Sequence, residues 1–584
     1  MKQSVTEKLI SLFLVLILLT FSMGFCVLYS AATEFVADGI HSFYIGKTQP
    51  KTVIALFNDD FTELTVFKNG EKGLGTMRDW VSPYDENYTY NPAYEHADTL
   101  KKVIICDGVV STGEYFCFEC SNLETVEFSQ TVVTLGAHSF RKTGLTSLVF
   151  PSKLRKIGER AFSGCHELTG NLVIPDTVRE IGNYAFYNCN NLNGTLALGS
   201  SLQRIGAFAF VNCSHFAGTL SFPASLESIG AYCFENCSSL SGELVLNEGL
   251  KHIGDGAFNH CFGFTNTELV IPSTVETIGG DTAYEVDAYS ATLSAAPETY
   301  YNHASHVFYD FANRTLSSFK VADGNTYFNA VDGVLYTSDM KRLVAYPPSR
   351  ECSVFEIPDG VEIIDEMAFG RTSYSGASEK LTTIIIPDSY VIKTNDDYPN
   401  TLNREAMCSL SSAFYVFSSV QDFLVNSTNP NYVSIDGCIY SKDGNKLICA
   451  PSGKTGDLFV SDNVNEIGYG AFSGCNMLRY IIIPSSVTII GQTAFDYCND
   501  AQIVGYAGSS VDSLKSKPNC SIHNFGDLND DGEFTIADYN MLRENLYSDT
   551  SFNPLQSIVA DYDYDGAYDG FDLFYIDKLI SLHY

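Results

Sequence analysis

Apolar positions in this chain return at a fixed interval of 24 residues: Ile157 with Gly158, Ile181 with Gly182, Ile205 with Gly206, Ile229 with Gly230 and Ile253 with Gly254, then Ile278 with Gly279 one residue late. Four residues after each of the first five isoleucines comes a small residue followed by Phe162, Phe186, Phe210, Phe234 or Phe258. Most units also carry a short apolar run ending in proline, such as Leu172, Val173, Ile174 and Pro175, or Leu269, Val270, Ile271 and Pro272. A period in this range means a solenoid, because no single unit can bury its own apolar face and successive units must stack to do it. The expected fold is a β-rich solenoid whose strands stack about 4.8 Å apart, with Ile, Phe and Cys forming interior ladders. Glycine after each Ile is expected to relieve a corner, Pro to end each strand, and the Ala-Phe segment to form a short helical turn.

The pattern continues with lower fidelity on both sides. Gly113 with Cys120 and Gly136 with Phe140 mark earlier turns; Ile364 with Phe369, Ile467 with Phe472 and Cys475, and Ile490 with Phe495 and Cys498 mark later ones. Residues 280–310 match no repeat and read as an excursion. Asp332, Gly333 and Tyr336 recur as Asp436, Gly437 and Tyr440, 104 residues later. An Asp-Gly pair between strand-like runs predicts a hairpin, here expected as an inserted unit on the edge of the coil.

Near the start, Lys2 and Lys8 precede an apolar run, and Ser30, Ala31 and Ala32 supply small residues for cleavage, so residues 1–32 read as a secretory signal peptide. The alternative is an uncleaved membrane anchor, since the apolar stretch reaches spanning length. Residues 33–100 then form an N-terminal cap and irregular segment, 101–525 the solenoid with insertions and a C-terminal cap, and 526–584 a separate small all-α module.

Composition narrows the partners. A formal net charge of -34 disfavours nucleic acid and anionic lipid, which would be repelled, and suits an exported or cation-binding protein. Seventeen cysteines would ordinarily suggest a disulfide framework in an exported chain. Cys165, Cys189, Cys213, Cys237 and Cys261, however, follow the 24-residue phase, and are better read as one repeated buried position.

The sharpest chemical signal lies near the C-terminus. Asp527, Asn529, Asp531, Gly532, Thr535 and Asp538 occupy positions 1, 3, 5, 6, 9 and 12 of a twelve-residue loop, and Asp561, Asp563, Asp565, Gly566, Asp569 and Asp572 repeat it 34 residues on. Hard Ca²⁺ takes six to eight oxygens, and this spacing aims alternate side chains at one centre while glycine makes the sharp turn. The carbonyls of Glu533 and Ala567 fill position 7, so two Ca²⁺ ions are expected. Each loop opens into an amphipathic helix, with Leu542 and Leu546 in the first and Ile576, Leu579 and Ile580 in the second. Elsewhere no nucleophile elbow, phosphate-cradling loop, zinc-spaced His pair or paired carboxylate stands out, and the eleven histidines are scattered, so no catalytic residue is expected. Tyrosines cluster at Tyr84, Tyr88, Tyr90 and Tyr94 and again at Tyr284, Tyr289, Tyr300, Tyr301 and Tyr309; they serve either as a contact surface or as packing for irregular segments.

The Ile-Gly, Ala-Phe, Cys phrasing resembles the BspA-like leucine-rich-repeat surface proteins of bacteria, over roughly residues 52 to 525. Segments like Gly75 to Trp80 and Gly505 to Ser509 look like that family's caps, and the resemblance implies an adhesion or binding scaffold without naming a ligand. Position 12 is Asp, not Glu, and residues 521–526 show no entering helix; in both respects the loops depart from an EF-hand and resemble a type I-like dockerin. That resemblance implies calcium-dependent docking to a cohesin domain of a scaffolding protein. It also places candidate contacts at Ile536, Ala537, Arg543 and Glu544 in one half, and at Gly570, Phe571, Asp577 and Lys578 in the other. The expected protein is extracellular and non-catalytic, recruited to a cellulosome-like assembly for polysaccharide breakdown or to the cell surface, with docking and ligand binding energetically separable. The alternatives are a dockerin-borne hydrolase with its site in an irregular insertion (280–310 or 370–420), and a membrane-tethered adhesin.

Overall fold

A computed structural model describes residues 41–47, 52–70, 75–86, 90–279, 315–365, 368–369, 380–391, 419–507, 509–516, 521–531, 535–548, 551–562 and 567–583. Residues 1–32, expected as a leader, the expected excursion at 280–310 with its tyrosines, Tyr88 and most of 370–420 lie outside them. The chain divides into two compact units, Met1–Ser338 and Asp339–Tyr584.

In the first unit the Ile-Gly positions become a seven-stranded parallel sheet of two-residue strands, running from Thr134–Leu135 through Lys156–Ile157, Glu180–Ile181, Arg204–Ile205, Ser228–Ile229 and His252–Ile253 to Thr277–Ile278. Leu135 pairs with Ile157, isoleucine pairs with isoleucine at every later step, and the late unit keeps register, Ile253 pairing with Ile278. Phe162, Phe186, Phe210, Phe234 and Phe258 are fully buried and stack ring on ring at 5.3 to 5.9 Å. A second sheet starts with an antiparallel meander, Ser42–Tyr44, Val53–Phe57 and Glu63–Lys68, and becomes parallel at Lys102–Ile105 and Thr125–Phe128. The meander closes the end of the stack, as an open parallel sheet requires. Met77 lies within the expected cap segment: Thr76 bridges Ser111, which bridges Thr134, so the isoleucine column begins there.

Two expectations about the repeat are corrected. The Ala-Phe segment is no helical turn. Tyr184, Asn188, Phe208, Asn212, Tyr232 and Asn236 take left-handed φ values of 53° to 60°, and alternate N–H groups reach the next unit: Tyr184 N–H to Ala207 O at 2.8 Å, Phe186 to Ala209 at 2.8 Å and Asn188 to Val211 at 2.9 Å. Backbone donors that a helix would use internally thus tie one turn to the next. Nor do Gly158, Gly182, Gly206, Gly230 and Gly254 relieve a left-handed corner, although Gly279 does take a positive φ of 68°. A Cβ on Gly206 would fall 2.5 Å from Asn183 N, and on Gly230 or Gly254 2.3 Å from the backbone nitrogen one turn back, so these positions serve close stacking.

In the second unit Leu447, Ile467 and Ile490 continue an isoleucine-type column, and Phe472 stacks on Phe495 at 5.1 Å. Both Asp-Gly pairs make hairpin turns: Phe328–Val331 with Val334–Thr337 in the first unit and Tyr432–Ile435 with Cys438–Ser441 in the second. Asp332, Gly333, Asp436 and Gly437 all have positive φ, the backbone a tight two-residue turn demands. The second hairpin lies at the edge of its sheet and is hydrogen-bonded into the column. Its strand Cys438–Ser441 pairs with Lys446–Cys449, which runs parallel to Glu466–Ile467 in the column. A last parallel sheet comprises Gly456–Phe459, Leu478–Ile482, Gln502–Gly505 and Ser521–Asn524. The helices Ile536–Leu546, Pro554–Ala560 and Gly570–His583 follow.

Candidate functional site

Each acidic loop is closed by its last carboxylate. Asp538 is fully buried; its Oδ1 accepts from Leu528 N–H at 2.9 Å and Asn529 N–H at 3.3 Å, and its Oδ2 from Thr535 N–H at 2.8 Å. Asp572, also fully buried, repeats this with Tyr562 N–H and Asp569 N–H, both at 2.6 Å. Position 12 therefore holds positions 2 and 9 in both halves. At position 1, Asp527 and Asp561 are buried too, and Asp527 Oδ1 accepts from Asp531 N–H at 3.2 Å. Asn529 Oδ1 accepts from the same N–H at 3.0 Å. Asp531 and Asn529 sit on the exposed rim, Ala567 is exposed and Asp569 intermediate. The two loops are joined at their starts, where Gly526 N–H donates to Val559 O at 2.8 Å and Gln556 Nε2 to Leu528 O at 3.2 Å.

The donor chemistry fits a hard cation. Ten carboxylates and no lysine or arginine lie within 527–538 and 561–572. Burying carboxylates at positions 1 and 12 is costly without positive charge, which the loops themselves do not contain. Glu533, Asp563 and Asp565 lie outside the described residues, and among the described ones no group of three His, Cys, Asp or Glu forms a metal-holding cluster.

Local sequence explains the frame. Thr535 caps the helix Ile536–Leu546 and forms a capping box with Asp538, so the closing carboxylate also starts the helix. The middle helix Pro554–Ala560 has no counterpart in the repeat-based reading. Its signal was present in Asn553, Pro554 and Gln556, a capping box with proline at the first helical position. All eight candidate partner contacts, Ile536, Ala537, Arg543, Glu544, Gly570, Phe571, Asp577 and Lys578, are exposed. Phe574 and Tyr575 are exposed beside Phe571 at helical spacing, and Tyr547 ends the first helix exposed; none of the three was singled out. The last helix is apolar at 571, 573, 574, 575 and 576, too many for one buried face, and that excess is the available signal.

The solenoid supplies a second surface. On the strands of the Leu172 type, every second side chain points outward, giving Val149, Val173, Ala197, Ser221, Val245 and Val270, all exposed. Val173 pairs with Ala197, Ser221 bridges Val245, and Val270 pairs with Lys320, so these residues form a column across the turns. Behind them the cysteines bind the previous turn: Cys165 Sγ donates to Phe140 O at 3.1 Å, Cys189 to Phe162 O at 3.1 Å and Cys237 to Phe210 O at 3.2 Å. Burial pushes the Cys165 thiol up to about 11, and among the described residues no cysteine is disulfide-bonded. A ladder not foreseen runs along the left-handed positions, where Tyr184, Phe208 and Tyr232 stack at 4.7 and 5.2 Å and the Arg160 guanidinium lies 4.3 Å over Tyr184. Of the first tyrosine cluster, Tyr84 and Tyr90 are exposed while Tyr94 is partly buried, and both Tyr84 and Tyr94 pack on Phe118.

A stack of parallel two-residue strands with interior Ile, Phe and Cys ladders defines a leucine-rich-repeat solenoid. Residues 83–169, 167–288 and 452–524 match the BspA type leucine rich repeat region in six copies, so the repeats are of BspA type. Similar solved structures include a leucine rich cell surface protein from Faecalibacterium prausnitzii, 22% identical over 79% of this chain and 94% of that one, with a TM-score of 0.39. A leucine-rich repeat protein from Bacteroides ovatus is 17% identical over 84% of this chain and all of that one, with a TM-score of 0.39. The pneumococcal vaccine antigen PcpA is 16% identical over 82% and 98%, with a TM-score of 0.36. No curated protein matches. Among the described residues no helix is long and apolar enough to cross a membrane.

Proposed function

We propose that the chain is a secreted, non-catalytic binding protein whose solenoid presents a ligand face and whose residues 526–584 act as a dockerin, joining a cohesin on a scaffolding protein or at the cell surface. The observation that carries the reading is the doubling of one loop design, in which a buried position-12 carboxylate holds positions 2 and 9 and opens an exposed helix. Asp527, Asn529, Asp531, Thr535, Asp538 and the Glu533 carbonyl would hold one ion; Asp561, Asp563, Asp565, Asp569, Asp572 and the Ala567 carbonyl would hold the other. Bound calcium supplies positive charge to loops that carry none. The protein's own contribution is a fixed pair of helices that leave Ile536 and Phe571 exposed as apolar anchors, flanked by Arg543, Glu544, Asp577 and Lys578. The two halves differ chemically, which favours a single docking orientation.

A pull-down of the calcium-loaded full chain against the producing cell's secreted proteins, read by mass spectrometry and repeated in chelator, tests the reading. A cohesin-bearing scaffold captured only in calcium is the expected result. Capture of such a scaffold equally well in chelator would overturn the calcium-dependent docking.

A further inference from the structure

The outward side of the last parallel sheet changes character from strand to strand. Phe459 is 51% exposed, whereas Ile482 and Val504, in register with it one and two strands on, are fully buried. Outward residues of the first unit, such as Val173 and Val245, are 58% exposed, so burial here is the exception. What covers these strands is the helical segment. Tyr480, Ile482 and Val504 share one apolar core with Phe525, Leu528, Leu542, Val559, Ala560 and Ile576. Ser521–Asn524 adds a parallel strand beside Gln502–Gly505, and Phe525 N–H extends the ladder to Gly505 O at 2.8 Å. Tyr506 packs on Phe525 at 4.6 Å, and its hydroxyl donates to Tyr562 O at 3.0 Å.

Two of these contacts belong to the acidic loops. Leu528 and Tyr562 are the position-2 residues whose N–H groups Asp538 and Asp572 hold. The residues that the closing carboxylates fix in place are the ones that meet the sheet.

We infer that the helical segment is the C-terminal cap of the second unit's solenoid turns, and that cation loading of its two loops tightens the last strands of the coil. The metal-dependent half rests on the calcium reading above. With the loops empty, carboxylate repulsion loosens Leu528 and Tyr562, and strands Leu478–Ile482 and Gln502–Gly505 lose their cover. With them loaded, any free energy of binding to the folded loops is shared with the strands packed on them.

Hydrogen exchange on the full chain, read by mass spectrometry in calcium and in chelator, tests this, with a calorimetric calcium titration alongside. Exchange at 478–483 and 502–506 is expected to rise at least tenfold in chelator, while 172–182 stays unchanged. Tyr506→Phe should raise exchange at 502–506 in calcium without changing the stoichiometry of two. Calcium binding with no change at 478–506 would overturn the coupling. Failure to bind calcium would instead overturn the reading of the loops; Ile576→Ala then decides the capping alone, unchanged exchange at 478–506 overturning it.

Discussion

At the scale of single residues, the ladders concentrate stability in identical positions. Phe162 is fully buried between Phe140 and Phe186 at 5.5 and 5.4 Å, and its carbonyl accepts the Cys189 thiol. Phe162→Ala is expected to cost about 3–5 kcal/mol, measured by denaturant unfolding, because the stacked turns on either side cannot collapse into the gap. Thiol labelling of the native protein should leave Cys165, Cys189, Cys213, Cys237 and Cys261 slow, since burial raises each thiol and a thiolate is needed to react. His138 supplies a pH dependence. Stacked on Tyr115 at 4.4 Å, it is pushed down to about 3 by burial, with Arg141 and Arg160 adding to the effect. On acidification the unfolded chain takes up this proton first. Its contribution is full above about pH 6.5 and is lost toward pH 3 at up to about 1.4 kcal/mol per pH unit. Denaturation midpoints taken from pH 7 to 5 should therefore fall more steeply in wild type than in His138→Phe, and equal slopes would contradict the assignment.

Elements here are short because their neighbours do the stabilising. A two-residue strand such as Arg204–Ile205 has no independent existence; it forms because Glu180–Ile181 and Ser228–Ile229 flank it in register. The period of 24 was legible because each turn must present its Ile, Phe and Cys at the same height. The conformation of the Ala-Phe segment was only partly legible: Asn188, Asn212 and Asn236 suit a left-handed backbone, but Tyr184, Phe208 and Tyr232 take it against their own preference, held by the neighbouring turn's carbonyls. Helix ends behave differently, being governed by local chemistry. Asn553→Ala removes the cap of Pro554–Ala560, with its acceptance from Gln556 N–H at 2.8 Å, and should cost about 1 kcal/mol in a chemical denaturation series. A loss below a few tenths would mean that packing of Val559 and Ala560 alone holds this helix.

At the scale of the whole molecule, the helical segment was expected to be energetically separate from the coil. The structure differs: Tyr480, Ile482 and Val504 lie in the same core as Leu542 and Ile576. An outward sheet face that ends in isoleucine and valine instead of polar residues needs a cover, and the helices are adjacent in sequence to provide it. Calorimetric titration of the full chain should give two calcium ions, falling to none when Asp527→Ala and Asp561→Ala are combined. Phe571→Ala should weaken docking to a cohesin by about 2 kcal/mol or more and leave calcium affinity nearly unchanged, because its ring is exposed and the loop contact it makes, a backbone N–H donated to Asp569 at 2.7 Å from position 11, survives the substitution. A larger loss of calcium affinity than of docking would mean that the Phe571 side chain supports the loop and is not a partner anchor.

Periodic burial and local spacing were enough, from sequence alone, to determine the stacked repeat, its Ile, Phe and Cys ladders, the Asp-Gly hairpins and the two acidic loops, since each depends on residues close in the chain or equivalent by period. Tertiary structure decided which outward faces stay open. Phe459 and Ile482 are both large and apolar, yet one is exposed and the other buried, a difference set by whether the helical segment folds back to cover the strand. It also decided that the repeat glycines serve close stacking and that Asp538 and Asp572 tie their loops to the residues bearing on the sheet. Such contacts arise between groups brought together by folding, and no spacing along the chain encodes them.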